Sequence, residues 1–119
     1  MADLIGKPYT IHVHHGLESV DPTDGNADLE VRFEDGSRYT ATFFTLNNLR
    51  LLFEKNEQTG ECKDGLYLWA SDMVIVKELT EVSISETVAD LIAQGGFEEA
   101  FSELSPDAQA PASQEIRSS

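Results

Sequence analysis

Three histidines lie close together near the start of the chain, at His12, His14 and His15. In a β-strand, residues two apart face the same side, so His12 and His14 would stand close enough to share a metal ion. A catalytic centre would need a further ligand, for which Glu30 and Asp72 are candidates. The alternative is a pair of solvent-facing strand histidines without a metal, and we favour it because the spacing supplies only two ligands.

A second group of candidate residues combines two aromatic side chains with a carboxylate, at Tyr67, Trp69 and Asp72. In a regular strand Tyr67 and Trp69 share a face, and Asp72 follows where the pattern becomes irregular. Large aromatic rings beside a carboxylate can line a small pocket or anchor an interface. Because large apolar side chains are more often buried, the pattern favours core positions for the two rings.

Acidic residues without basic neighbours occupy the last third of the chain. Between positions 78 and 104 there is no Lys or Arg, and the acids are Glu78, Glu81, Glu86, Asp90, Glu98, Glu99 and Glu103. Like charges four residues apart, as at Glu86 and Asp90, cost a helix about 0.2–0.5 kcal/mol. We therefore predict an acidic ridge, defined as Glu86, Asp90, Glu98, Glu99 and Glu103, that binds a basic protein partner. The alternative is an acidic surface that only maintains solubility.

The overall composition argues against several functional classes. The chain has 119 residues, a formal net charge of −14 and a single cysteine, Cys62. Nucleic acids and anionic membranes bind proteins with an excess of Lys and Arg, so neither is an expected partner. One cysteine excludes an internal disulfide framework and a multi-cysteine zinc site. No apolar run has the length of a signal peptide or a membrane span, so we expect a cytoplasmic protein, and no motif indicates a cofactor.

Hydrophobic periodicity predicts the elements that position these groups. Apolar and polar residues alternate over positions 8–15, 29–34 and 38–43, which predicts three strands. Asp35-Gly36 predicts a tight hairpin turn between the second and third strands. The polar face of these strands would carry His12, His14, Glu30, Arg32, Thr40 and Thr42.

Apolar residues at helical spacing predict three helices further along the chain. These helices cover residues 46–58, residues 83–94 and, as a short final helix, residues 97–104. Between the first two, residues 66–79 are rich in β-forming residues but are interrupted at Ser71-Asp72. This dipeptide suits a two-residue hairpin turn poorly, so we expect one bent or bulged strand here.

The elements follow in the order β-β-β-α-β(β)-α-α, which predicts an α+β fold. Strands with one polar face imply an antiparallel sheet of four to five strands, with two to three helices packed on its apolar face as a two-layer sandwich. Residues 1–104 should form a single domain, and residues 105–119, rich in Ser, Ala, Pro and Gln, a disordered C-terminal tail. The polar face or an unpaired sheet edge could bind a partner or a second copy of the chain.

Four segments of the chain carry a resemblance to known proteins. They are Phe33-Glu-Asp-Gly-Ser-Arg-Tyr39, Ala41-Thr-Phe-Phe-Thr-Leu46, Thr59-Gly-Glu-Cys62 and Tyr67-Leu-Trp-Ala-Ser-Asp-Met73. Together they resemble small uncharacterised bacterial α+β proteins with no assigned function, over residues 5–104. The resemblance implies a stand-alone bacterial domain, and it brings no catalytic or binding residue with it.

Three functions remain open on these grounds. The one we favour is a small acidic, non-catalytic interaction or regulatory module, for example of the immunity type, that binds a basic protein partner. The second is a metal-dependent enzyme built on His12 and His14. The third is a homo-oligomeric assembly domain, for example a homodimer, which is compatible with the first.

Overall fold

The alternating segments of the N-terminal half form the centre of a β-sheet in the computed structural model, which describes residues 4–107 and 112–116. The strands are β1 (Tyr9–His14), β2 (Asn26–Phe33), β3 (Arg38–Thr45), β4 (Met73–Val76), β5 (Ser102–Glu103) and β6 (Ser113–Ile116). The helices are α1 (Leu46–Thr59), α2 (Glu61–Gly65), α3 (Glu81–Gln94) and α4 (Phe97–Ala100). As predicted, β1, β2 and β3 are antiparallel neighbours, and Gly36, with a φ of 94°, allows the tight turn between β2 and β3.

The sheet is mixed and open, which corrects the purely antiparallel sheet expected from the sequence. Its order is β4-β3-β2-β1-β6, and β5, which replaces the end of the third predicted helix, also pairs with β3. β4 runs parallel to β3, because the chain leaves β3 through α1 and crosses back before β4 begins. The α+β class is confirmed, but the described residues hold six strands and four helices, more than predicted.

The apolar face of the sheet packs against α3 and α4 and forms the core. The buried side chains of β1 to β3 on this face are Ile11, Val13, Ala27, Leu29, Val31, Phe33, Tyr39, Ala41 and Phe43. They join Ile84, Val88 and Ile92 of α3, which belong to the predicted helical face, in one cluster. Phe97 of α4 stacks on Phe101 with ring centroids 4.4 Å apart, so α4 is held by aromatic packing.

Two elements differ from their predicted bounds for local reasons. α3 begins at Glu81, because the side chain of Thr80 accepts a hydrogen bond from the Ser83 backbone amide at 3.1 Å and caps the helix. Of residues 66–79, only β4 forms a strand. Asp72 has a φ of 55°, which a strand does not allow, so β4 cannot extend backward through this residue.

One part of the C-terminal tail, residues 113–116, forms a strand. β6 pairs antiparallel with β1, placing Ile116 opposite Ile11, and Ile116 is only 2% exposed. The isolated large apolar residue of the tail thus joins the core, and the edge of β1 supplies its backbone partners. Composition does not reveal such a partner, because it lies a hundred residues away in the chain. The remaining parts of the tail at 108–111 and 117–119 lie outside the described residues.

Helix α1 is confirmed at the predicted position but adds almost nothing to the core. Of its fourteen residues only Asn56 is buried. The prediction that the helices pack on one face of the sheet therefore applies to α3 and α4 and not to α1. The molecule is correspondingly elongated, with principal extents of 45 × 28 × 26 Å.

Candidate functional site

A buried carboxylate stands on the polar face of the sheet. Glu30 of β2 is 1% exposed, although the alternation predicts an exposed polar face. Arg32 Nε donates a hydrogen bond to Glu30 Oε2, and Arg38 Nη1 lies 3.4 Å from the same oxygen. Burial acts to raise the pKa of Glu30, but the hydrogen bond from Arg32 and the charges of Arg32 and Arg38 outweigh it and hold this pKa below its ordinary value.

The two candidate metal ligands stand beside this carboxylate. His12 pairs across the strands with Glu30, and its Nε2 atom lies 2.8 Å from Thr10 Oγ1. His14 Nε2 lies 3.8 Å from Glu30 Oε1 and has no hydrogen-bond partner among the described residues. The alternation therefore correctly places both histidines on one face with Glu30. His12 is nevertheless buried rather than solvent-facing, and burial together with the charge of Arg32 lowers its pKa.

This group of polar residues has the chemistry of an ion-pair cluster. Within residues 4–107 and 112–116, no group of three or more His, Cys, Asp and Glu side chains is placed to hold a metal ion. Glu30 is already bonded to a guanidinium group, which would compete with a metal for the same oxygen. Asp72, the other candidate ligand, accepts a hydrogen bond at 2.6 Å from Ser102 of β5. The cluster can stabilise the buried negative charge of Glu30. Among the described residues it contains no set of side chains that could bind a metal ion.

The acidic ridge lies on the surface along three consecutive elements. Its residues are all exposed, with Glu86 and Asp90 on α3, Glu98 and Glu99 on α4, and Glu103 on β5. None of the five makes an ion pair within the described part of the chain. Burial raises the pKa of Tyr39, and the charges of Glu103 and Glu98 raise it further. Glu103 is also the residue opposite Tyr39 where β5 pairs with β3.

The structure does not place the two aromatic residues in the core. Tyr67 is 49% exposed and Trp69 is 70% exposed, so the prediction of buried rings is wrong. The reason is that residues 67–70 belong to no strand or helix and stay outside the sheet. Asp72 is engaged elsewhere, because its backbone carbonyl accepts a hydrogen bond from the Thr42 amide and its carboxylate bonds to β5.

Sequence reasoning singled out Tyr67 and Trp69 but missed the rest of a second exposed surface, which we call the apolar arm and define as residues 46–72. Its exposed large apolar side chains are Leu46, Leu51, Phe53, Leu66, Tyr67 and Trp69. Helical spacing correctly predicts the helix in this segment, but the prediction placed its apolar side against the sheet. No local signal separates an apolar face that packs on its own sheet from one that binds another molecule.

Comparison with known proteins adds no functional assignment. No protein-family model matches the chain, and no similar curated protein or solved structure is found. Among the described residues, no helix is both long enough and apolar enough to cross a bilayer. The resemblance to small bacterial α+β proteins stays a prediction, and the function has to be inferred from the surface.

Proposed function

We propose that this protein is a non-catalytic interaction module whose acidic ridge binds a basic protein partner in the bacterial cytoplasm. The observation that carries the proposal is that all five ridge carboxylates are exposed and that none of them makes an ion pair with another described residue. A regulatory protein that neutralises a basic partner, as immunity proteins do, would need such a surface.

The electrostatics of the ridge favour binding of a cation over a role in stability. Glu86 and Asp90 lie one helical turn apart on α3, and Glu98 and Glu99 are adjacent on α4. The pair on α3 costs about 0.2–0.5 kcal/mol, because residues four apart are neighbours on a helix surface, whereas adjacent residues such as Glu98 and Glu99 do not face each other. A cationic partner would relieve this repulsion and would be attracted by the net charge of −14, which speeds its encounter with the surface.

The metal-dependent enzyme is less well supported, because the carboxylate beside the two histidines is already neutralised. Glu30 is bonded to Arg32 and lies close to Arg38, both from its own sheet. A catalytic carboxylate would instead be available to a substrate or a metal ion. The geometry of this cluster therefore supports a structural role for His12 and His14.

Affinity capture with charge-neutralised variants tests the proposal. In the ridge variant, the five ridge residues become Gln or Asn. In the matched control, the same number of exposed acids outside the ridge and outside the apolar arm becomes Gln or Asn, at Glu18, Glu34, Glu78, Asp107 and Glu115. We expect the wild-type chain and the control to capture the same basic protein from a host lysate, with affinity that falls as salt rises, and the ridge variant to lose it. Equal capture by both variants, or no basic protein at low salt, would contradict the proposal.

A further inference from the structure

Helix α1 lacks the packing that a helix of its length needs. It has fourteen residues, and only Asn56 is buried. Isolated helices shorter than about 12–15 residues are marginal in water even when rich in Ala, and this helix contains no Ala. Most helices of this size are stabilised by burying an apolar face. The exposed large apolar side chains of α1 are Leu46, Leu51 and Phe53, whereas Leu49 and Leu52 are half-buried. Leu46 and Phe53 lie on the same side of the helix as Leu49 and Leu52, and Leu51 lies on the opposite side.

After a tight turn the chain runs back along α1. The helix and the segment that follows the turn, residues 66–72, which we call the return segment, therefore form one structural unit. Gly65, at the end of α2, has a φ of 78°, and a Cβ atom there would stand 2.8 Å from the Phe53 carbonyl oxygen. This close approach places the start of the return segment against the second half of α1. Residues 66–72 then run back to β4; fully extended they span about 23 Å, similar to the length of α1, about 21 Å.

The exposed apolar area of the arm approaches that of a protein–protein interface. The six large side chains are between 36% and 71% exposed. Leu51 lies on the opposite side of α1. At about 200 Å² for each of the other five side chains, the exposure amounts to roughly 590 Å². The largest apolar patch of a typical monomer is about 300–600 Å², whereas a stable interface buries about 800 Å² on each partner. The half-buried Leu49, Leu52 and Leu68 would supply part of the difference.

The return segment also offers unpaired backbone groups. Residues 67–70 belong to no strand, and within the described residues the backbone of 67–71 makes no hydrogen bond. An unpaired segment at the surface can pair with another segment once both are extended, as in strand addition. Positions 66–71 contain no charged residue, so the sequence Leu-Tyr-Leu-Trp-Ala-Ser can pair with itself without placing like charges opposite each other.

The charge of the arm indicates a second copy rather than the basic partner. Positions 46–72 contain three basic and five acidic residues, so most of the net charge of −14 lies elsewhere. A strongly basic protein would bind the acidic ridge. The apolar arm is nearly neutral, so it would bind another nearly neutral apolar surface, such as the arm of a second copy. Two copies related by a two-fold axis present identical patches to each other.

We propose that the apolar arm is the interface of a homodimer, in which residues 67–71 of two copies pair antiparallel and Trp69 becomes buried. The interface involves no ridge residue, so the proposal is independent of the function proposed above. A dimer formed in this way would supply the packing that α1 lacks, and it would carry two acidic ridges.

Sedimentation velocity combined with Trp fluorescence tests the dimer, because Trp69 is the single Trp of the chain. We expect a species of twice the 13.1 kDa chain mass, and Trp69 emission that shifts to the blue and resists acrylamide quenching as the dimer forms. Leu66 is 71% exposed, and in the Leu66→Asp variant each copy would bring one carboxylate into the interface. Because two charges would be buried, dimerisation should weaken about a hundredfold. The matched control is Val82→Asp on α3, at a position 67% exposed, which should leave the dimer unchanged.

Four results would overturn the homodimer. The first is a wild-type chain that stays monomeric at about 0.5 mM, where even weak dimers form. The second is equal dimerisation of Leu66→Asp and Val82→Asp, with both variants folded by circular dichroism. The third is a dimer in which Trp69 remains fully open to acrylamide. Protection of Trp69 in a monomer, on addition of a lysate protein or of lipid vesicles, would assign the arm to that other partner instead.

Discussion

Replacing Glu30 by Gln should destabilise the fold, because the change removes the negative charge that faces two guanidinium groups. Glu30 is almost completely buried and accepts hydrogen bonds from Arg32 and Arg38. The Gln side chain keeps the size and one acceptor oxygen but not the charge. Both arginines would lose this counter-ion while they remain packed on the polar face of the sheet.

The size of the effect follows from how well the two arginines can be hydrated. Removing one partner of a fully buried ion pair costs about 3–5 kcal/mol. The side chains of Arg32 and Arg38 are 34% and 18% exposed, so water can partly replace the carboxylate. We therefore expect Glu30→Gln to lower the free energy of unfolding by about 2 kcal/mol. For a chain of this size, that corresponds to a fall in Tm of about 8 °C.

The same substitution should change the pH dependence of stability. The pKa of Glu30 is lower in the folded chain than in the unfolded chain, so its contribution is complete above the unfolded pKa and is lost as pH falls through the folded pKa. The difference in stability between wild type and Glu30→Gln should therefore shrink as the pH falls below the ordinary Glu pKa of about 4.3.

Urea unfolding followed by circular dichroism, at neutral and acidic pH, measures both effects. Glu34→Gln is the matched control, because Glu34 is exposed near the end of the same strand. Surface changes of this kind stay within about 0.5 kcal/mol of wild type. A Glu30→Gln protein as stable as Glu34→Gln at pH 7, or a difference that does not narrow in acid, would refute the role assigned to the cluster.

Two further substitutions test the parts of the fold that the sequence did not predict. Ile116→Ala should lower the free energy of unfolding, measured by urea denaturation, by about 2 kcal/mol, because Ile116 is buried. Ser113→Ala, at an exposed position of the same strand, should leave it unchanged. Equal stability of the two variants would mean that β6 does not pack on β1. Gly65→Ala should cost more than Gly95→Ala, by about 1–2 kcal/mol, because both have positive φ but only Gly65 faces backbone atoms within 3 Å. Equal losses would contradict the packing of the arm.

The strands β1 to β3 and their hairpin were predictable because they depend on local properties. Alternation over a few residues determines which side chains share a face, and Asp35-Gly36 suits a tight turn in any context. The buried face of α3 follows in the same way from helical spacing. The exposed carboxylates of the acidic ridge were equally predictable, since no Lys or Arg lies near them in sequence.

The environment of the candidate site was not predictable from these local properties. Alternation places His12 and Glu30 on the same face, but it does not show that this face buries them. Their burial depends on side chains from neighbouring strands, including Arg38, which lies eight residues from Glu30. An ionisable group therefore looks exposed in the sequence pattern and becomes buried only when the strands pair.

Periodicity and turn residues were enough to predict the α+β class, because both are properties of neighbouring residues. Three outcomes appear only in the folded chain: β4 runs parallel to β3, Ile116 reaches the edge of β1, and α1 buries only Asn56. These outcomes depend on which distant segments meet. Burial is a property of the whole chain, so a pattern can predict an apolar face but not what covers it.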